Sequence, residues 1–275
     1  MRPDTPAPPR IGTALAQAPA RPPHPRPLSD TLTFARRALL KIRHTPEQAF
    51  DVVVTPIMFT VIFTYLFGGA LAGSTDAYLT FLLPGIAVQT VMFAAIYTGF
   101  TLNQDIHRGV FDRFRAMPIW RPAPVAGALV GDIGRHTASV LLVFAAGLII
   151  GYRPEAGIPG VVAALAILNL YALGVGWVFT ALAFLVRTPG TMMTLSWLFL
   201  MPVTFGSNIY VAPDTMPGWL QAFVAANPVS HVTTALRGIL DGGPDAAAIG
   251  RALLAPALIA AVFAPLTMWL YGRKR

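Results

Sequence analysis

The chain has 275 residues, 55% of them apolar and only 12% charged, with a mean hydropathy of +0.61. That balance lies outside the range of soluble globular domains, so the solvent for most of the chain is a bilayer. The net charge of +8 does not point to nucleic acid, because the arginines flank apolar runs and form no groove interleaved with aromatics; the absence of cysteine excludes disulfides, thiol catalysis and cysteine-ligated metals.

Met1 to Asp30 holds nine prolines and lacks the apolar core of a signal peptide. Residues 1–27 are therefore expected to form a disordered cytosolic tail. Beyond it, Leu28, Leu32, Ala35, Leu39 and Ile42 recur at steps of three and four, while Arg36, Arg37, Lys41 and Arg43 lie elsewhere around the turn. This spacing predicts an amphipathic interfacial helix over 28–45. Ser29 or Asp30 is placed to cap its start, and Pro46 lies beyond its end. Both contact with a cytosolic partner and simple membrane anchoring fit such a helix.

A hydrocarbon core about 30 Å thick needs roughly 20 helical residues. Six apolar runs approach that length, from about Val52 to Leu71, Leu79 to Leu102, His136 to Tyr152, Ile158 to Val186, Thr191 to Val211 and Ala252 to Tyr271. With the amino terminus in the cytosol, 16 of the 20 Arg and Lys fall on the cytosolic side, so both termini are expected there. The first two runs are joined on the outer side by a short connection whose charge is Asp76, and Pro56 and Pro84 bend or begin these helices.

Residues 103–124 form a short cytosolic connection carrying Asp105, Arg108, Asp112, Arg113, Arg115 and Arg121. In a helical turn, Asp112 stands four residues from Arg108 and three from Arg115, a spacing that allows pairing within the loop. Val110, Phe114 and Met117 would then share another face, suited to a partner's groove; a loop resting on lipid is the alternative. Apolar character continues from Val125 to Tyr152, about 40 Å of helix, so this helix is expected to project into the cytosol. An ionised residue at the bilayer centre costs about 2.5–3.5 kcal/mol, which favours Asp132 and Arg135 paired near the headgroups; lining a polar cavity is the other reading. Gly127 with Gly131, and Gly147 with Gly151, are small-residue pairs that permit close helix packing without specifying a dimer.

Within 212–245, Met216, Trp219, Leu220, Phe223 and Val224 follow helical steps up to Asn227-Pro228. A second set, Val229, Val232, Leu236, Ile239 and Leu240, runs to Asp241-Gly242-Gly243-Pro244. Two amphipathic helices too short to span are expected on the outer leaflet, as a lid over an exit or as a cap shielding the spans.

Several chemistries lack their residues. The lysines are Lys41 and Lys274, and neither follows a phosphate-binding Gly-rich loop. Neither Gly-x-Ser-x-Gly nor His-Glu-x-x-His occurs, and Ser207, in Gly206-Ser207-Asn208, has no intramembrane histidine to activate it. Apart from Asp132 and Arg135 the spans carry no ionisable group near the midplane, which disfavours an ion-driven carrier. The energy source is expected to be another protein.

The run Asp105-Ile-His-Arg-Gly-Val-Phe-Asp112-Arg113-Phe-Arg115-Ala-Met-Pro118-Ile-Trp-Arg121 resembles the signature of type-two ATP-binding-cassette exporter permeases, in particular the daunorubicin-resistance group. Met216-Pro-Gly-Trp219-Leu220, followed by Asn227-Pro228 and Arg237, is similar to that family's segment before the last span, and the likeness extends from about Thr31 onward. The resemblance implies an all-α integral membrane protein of six spans, paired with a second permease protomer as a homodimer and with two copies of a separate ABC ATPase. ATP and Mg are expected on that ATPase; this chain is expected to hold no cofactor or metal and no catalytic residue. It further implies a coupling element at Asp105, Arg108, Gly109, Asp112, Arg113, Arg115, Pro118 and Arg121. The family's second and fifth helices line the substrate path, which carries over to Gln89, Phe93, Tyr97, Met193, Trp197, Phe205 and Asn208; Trp219, Asn227 and Pro228 fall in the outer lid. The implied activity is export of a hydrophobic or amphiphilic compound (a drug, an antibiotic or a lipid-like molecule) across the cell (inner or plasma) membrane, in contact with lipid and not nucleic acid. Export of a polysaccharide or lipid-linked glycan is the alternative, and a stand-alone membrane enzyme or scaffold a further one.

Overall fold

A computed structural model describes residues 26–42, 46–115 and 117–273 of the chain, and the side chains of all of these except Ile42, residues 46–50 and Arg115. The expected proline-rich tail lies outside the described residues apart from Arg26 and Pro27. Among the described residues the secondary structure is entirely helical. In chain order the helices are α1 (Pro27–Ile42), α2 (Pro46–Ala72), α3 (Thr75–His107), α4 (Val110–Arg115), α5 (Ala123–Ile150), α6 (Gly157–Leu185), α7 (Pro189–Phe205), α8 (Gly218–Ala226), α9 (Pro228–Leu240) and α10 (Ala246–Arg273).

Local chemistry sets several of these boundaries. The Ser74 hydroxyl accepts from Ala77 N at 3.1 Å and starts α3; Thr188 does the same for α7 through Thr191 N at 3.2 Å, with Pro189 at the first helical position. The N-terminal turn of α1 does not use the expected cap. Asp30 lies inside its first turn, and its carboxylate instead accepts from Trp120 N at 2.9 Å, tying α1 to the turn before α5.

Helices α2 (from Asp51), α3, α5, α6 and α10 are long and apolar enough to cross a membrane, and the protein is an all-α multi-pass membrane protein. α3 is the central rod, about 50 Å long, with Leu79, Leu82, Leu83, Ile86, Val88 and Val91 all buried around its circumference. α2, α5, α6, α7 and α9 pack around it, and α10 lies on α6 and α9. Large side chains such as Tyr65, Leu66, Leu198, Leu254 and Val262 remain exposed on α2, α7 and α10, as expected of surfaces bathed in lipid.

One sequence expectation is corrected here. The fifth apolar run, expected to be helical to Val211, forms a 17-residue helix of about 25 Å that stops at Phe205. Pro202 and Gly206 loosen its end, and Asn227 Nδ2 donates to the carbonyls of Val203 at 2.7 Å and Gly206 at 2.8 Å, so 206–212 folds as a turn with 207–210 buried. The helix expected from Val125 to Tyr152 is found over Ala123–Ile150, with Asp132 and Arg135 forming the expected pair within it. α9 packs inward, with Val229, Val232, Ala235, Leu236 and Leu240 buried against α3, α6 and α10.

Candidate functional site

The most densely connected polar region lies where the C-terminal ends of α1 and α3 and the N-terminal half of α5 meet α4. Small residues bring α1 there. A Cβ added at Gly131 would sit 2.7 Å from both the Ala35 carbonyl and the Ala38 methyl, so α1 and α5 approach at a distance only glycine tolerates. The packing face of α1 is thus Thr31, Phe34, Ala35 and Ala38, while Leu28, Leu32 and Leu39 stay exposed. The Gly127 and Gly131 pair serves this contact within the chain.

That approach carries two α1 cations onto the end of α3. Asp105 is buried, with Lys41 Nζ at 2.7 Å and Arg37 Nη2 at 3.3 Å from its two carboxylate oxygens. Seven residues up the same face, about two helical turns, Thr98 donates to the Asp132 carboxylate. Arg135 stands 3.1 Å from that carboxylate and also donates to Ala94 O at 2.9 Å and Thr98 Oγ1 at 3.1 Å. The pair is formed, and it also lines a cavity of about 50 Å³ with Phe34, Arg37, Lys41 and Asp105. The cavity has room for about three waters.

Below it, Gly109 adopts a φ of +70° and lets the chain leave α3 and start α4 at once. α4 turns its aromatics inward. Phe111 meets Phe184 of α6 and Tyr271 of α10 with centroids 5.6 Å away in each case, and Phe114 meets Phe34 of α1 at 4.9 Å, under the Arg37 guanidinium at 5.0 Å. This corrects the expected partner-facing stripe, because Phe114 is buried and Val110 packs on the core, leaving Met117 as its exposed member. Amphipathicity shows that a face is apolar, not that the covering atoms come from another protein.

The eight residues assigned to coupling therefore divide. Arg108, Asp112, Arg113, Pro118 and Arg121 are exposed, Asp105 is an internal anchor, and Gly109 is the hinge. The side chain of Arg115 lies outside the described residues. Missed in the sequence were Arg37, Lys41, Thr98 and Phe111, together with Asn103, whose amide donates to Ala183 O at 2.8 Å and Val186 O at 3.0 Å and clasps the end of α6. The four-residue spacing of Arg37 and Lys41, and a lone amide at the end of an apolar run, were the available signals.

The residues assigned to the substrate path do not form one surface within the protomer. Gln89 is fully buried and accepts from the Tyr210 hydroxyl at 2.8 Å, and Phe93 is buried edge-on to Trp197 at 5.0 Å. Tyr97 donates to the Asp51 carboxylate at 2.9 Å; Met193 and Trp197 are half-buried; Phe205 is exposed and stacks on Tyr210 at 5.0 Å. Asn208 lies in the turn after α7, its amide donating to Thr234 of α9 at 2.9 Å.

At the opposite end of α3, Arg237 joins three segments. Its guanidinium donates to Phe81 O at 2.9 Å, Asn208 O at 2.8 Å and Ile209 O at 3.2 Å, and lies 3.6 Å above the Phe81 ring. Burial pushes the Arg237 guanidinium down to about 10, still cationic at neutral pH. Of the residues assigned to the lid, Trp219 is exposed, Pro228 opens α9, and Asn227 is a buried clip that also caps α9 by accepting from Val229 N at 3.0 Å.

The family model described as ABC-2 type transporter matches residues 30–240, from α1 through α9, and so contains both the charged cavity and the α4 edge. The chain belongs to the ABC-2 type transporter family. It is 45% identical over 270 residues to the daunorubicin resistance ABC transporter permease protein DrrB1 of Streptomyces coeruleorubidus, covering 98% of this chain and 95% of that relative. It is 29% identical over 224 residues to the doxorubicin resistance ABC transporter permease protein DrrB of Mycobacterium tuberculosis, with 77% and 76% covered. A putative transport permease, ycf38, of Cyanophora paradoxa is 20% identical over 214 residues, with 76% and 73% covered. The chain is thus a type-two ABC permease of the daunorubicin-resistance group, a transport component whose family works with an ATPase carried on a separate subunit.

Proposed function

We propose that this ABC-2 permease exports a hydrophobic or amphiphilic, drug-like compound from the cytoplasm, as two identical protomers driven by two ATPase subunits that hold ATP and Mg. In this reading the protein resides in the cell membrane with both termini cytoplasmic. α7 and the turn after it complete a sixth crossing, and α1 lies along the inner interface. The relatives named for daunorubicin and doxorubicin resistance support a drug-like cargo.

The observation that carries the mechanism is the backing of the α4 edge. Asp112 and Arg113 are exposed, while Phe111 and Phe114 on the same short helix are wedged among α1, α6 and α10. A push on that edge by an ATPase closing on ATP reaches three helices through aromatic contacts, and α3 through the Asp105 clamp. Interiors packed this closely shift as units and do not absorb the displacement locally. The test is to purify the permease with its ATPase and measure ATP turnover in Asp112→Ala and Arg113→Ala. Both side chains are exposed, so assembly of the fold is expected to survive while transport-linked turnover falls; normal coupling and assembly in both variants would reject this role.

A further inference from the structure

Beside the α4 edge, a groove of about 590 Å³ opens between the 117–122 turn and the cytosolic end of α10. Met117, Ile119, Pro122, Met268 and Gly272 form its walls over a floor of Phe114 and Tyr271, and Arg121 stands at its side. Its volume falls in the range of about 300–1,000 Å³ typical of clefts that bury a ligand. Among the described residues no carboxylate lines it, whereas Arg113 and Arg273, both exposed, directly adjoin the lining residues Phe114 and Gly272 in the chain. Arg273 is held in place over the Trp269 ring at 4.0 Å. An apolar groove rimmed by arginines calls for an occupant that brings an apolar side chain and negative charge together. Methionine walls suit such an occupant, since the thioether chain adapts to irregular shapes.

We propose that the cytosolic end of α10, through Met268, Gly272 and Arg273, forms with the 117–122 turn a second docking socket for the ATPase, which inserts an acidic segment bearing an apolar anchor. This rests on the reading that an ATPase docks on the α4 edge, with which the groove is continuous through Phe114. It adds a contact on α10, a helix of which no part was assigned to the partner by sequence. The socket joins the pushed surface to a membrane-crossing helix directly, in parallel with the route through Phe111.

The chain has no cysteine, so a single introduced thiol is a unique label. A Cβ at Gly272 meets nothing within 4 Å, so Gly272→Cys is accommodated without rearrangement. The experiment labels Gly272→Cys and Arg113→Cys with a photoreactive maleimide in membranes containing the full permease and ATPase complex. ATPase adducts at both positions are expected. An adduct at residue 113 with none at 272, or with only lipid at 272, overturns the socket and leaves docking on α4 intact; ATPase that co-purifies yet reacts at neither position overturns both. The charge requirement is read separately, from the double variant Arg121→Glu with Arg273→Glu. Its Kd for the ATPase is expected to rise about tenfold at low salt, and the difference to shrink as salt is added. An unchanged Kd overturns the acidic occupant.

Discussion

The buried pair between α3 and α5 yields a test with a sign that intuition about salt bridges would miss. The Asp132 and Arg135 side chains are each 7% exposed and lie 3.1 Å apart, with Thr98 bonded to the carboxylate and Ala94 O accepting from the guanidinium. Asp132→Ala leaves a buried guanidinium that cannot shed its proton and has lost its adjoining carboxylate, at a cost of about 3–5 kcal/mol. At roughly 2–4 °C per kcal/mol for a domain of 150–250 residues, the melting temperature of the solubilised protein is expected to fall by about 6–20 °C. Arg135→Met should cost less, because an isolated carboxyl can be neutralised by taking up a proton. The double variant, Asp132→Leu with Arg135→Met, removes both desolvation costs, and such replacements are commonly neutral or stabilising by about 1–4 kcal/mol. Its melting temperature should return to the parent value or exceed it. A double variant as damaged as Asp132→Ala would refute the view that unpaired charge, and not lost packing, is what the single substitution introduces.

Three further outcomes follow from individual contacts. Gly131→Leu places side-chain atoms where Ala35 O and Ala38 Cβ already stand, at an overpacking cost of about 1–3 kcal/mol, and should raise amide exchange along α1; protection equal to that of the parent protein would show that α1 is not held by this contact. Asn227→Ala strands the carbonyls of Val203 and Gly206 and uncaps α9, at about 2–4 kcal/mol together, and is expected to open the 206–228 segment to exchange first; a uniform loss of protection would contradict it. Burial first, then the charge of Glu155, raise the Asp241 carboxyl above its ordinary 3.8 against the opposing pull of Arg237. A raised folded-state value gives stability that is full below 3.8 and lost as pH rises through the raised value, so Asp241→Asn should raise the melting temperature at neutral pH, with the gain shrinking on acidification. A pH-independent difference between the two proteins would sink that account.

Where the physics was local, the sequence was legible. An uninterrupted apolar run is enough to place a span, and the fourth, expected over 158–186, is found over 157–185. The amphipathic α1 and both outer helices were also readable from spacing. What escaped was settled by residues far away in the chain. The end of α7 is fixed by Asn227, more than twenty residues on, and Asp105 is held by cations 64 and 68 residues earlier. A carboxylate in a polar loop looks surface-bound until the helix that covers it is known. Phe114 misled for the same reason: an apolar face within a short charged connection gives no indication whether its cover is a partner or the chain itself.

The distribution of these contacts determines which parts can move together. Asp105 fixes α3 to α1, the glycine-lined approach fixes α1 to α5, and the Thr98, Asp132 and Arg135 cluster fixes α5 back to α3. Phe111 and Tyr271 add α6 and α10 through α4. These links form closed loops, so displacing one member strains at least two contacts, and the group resists internal shear. Among the described residues, α7 is tied to the rest by a polar side chain at its far end, through Asn227. It is held mainly by Phe93 against Trp197 and by Asn227 at its far end, with Leu198 and Phe199 exposed along its length. Under the proposed mechanism a force applied at α4 therefore moves α1, α3, α5, α6 and α10 as one body, and the compliance needed for alternating access resides in α7 and its outer clip.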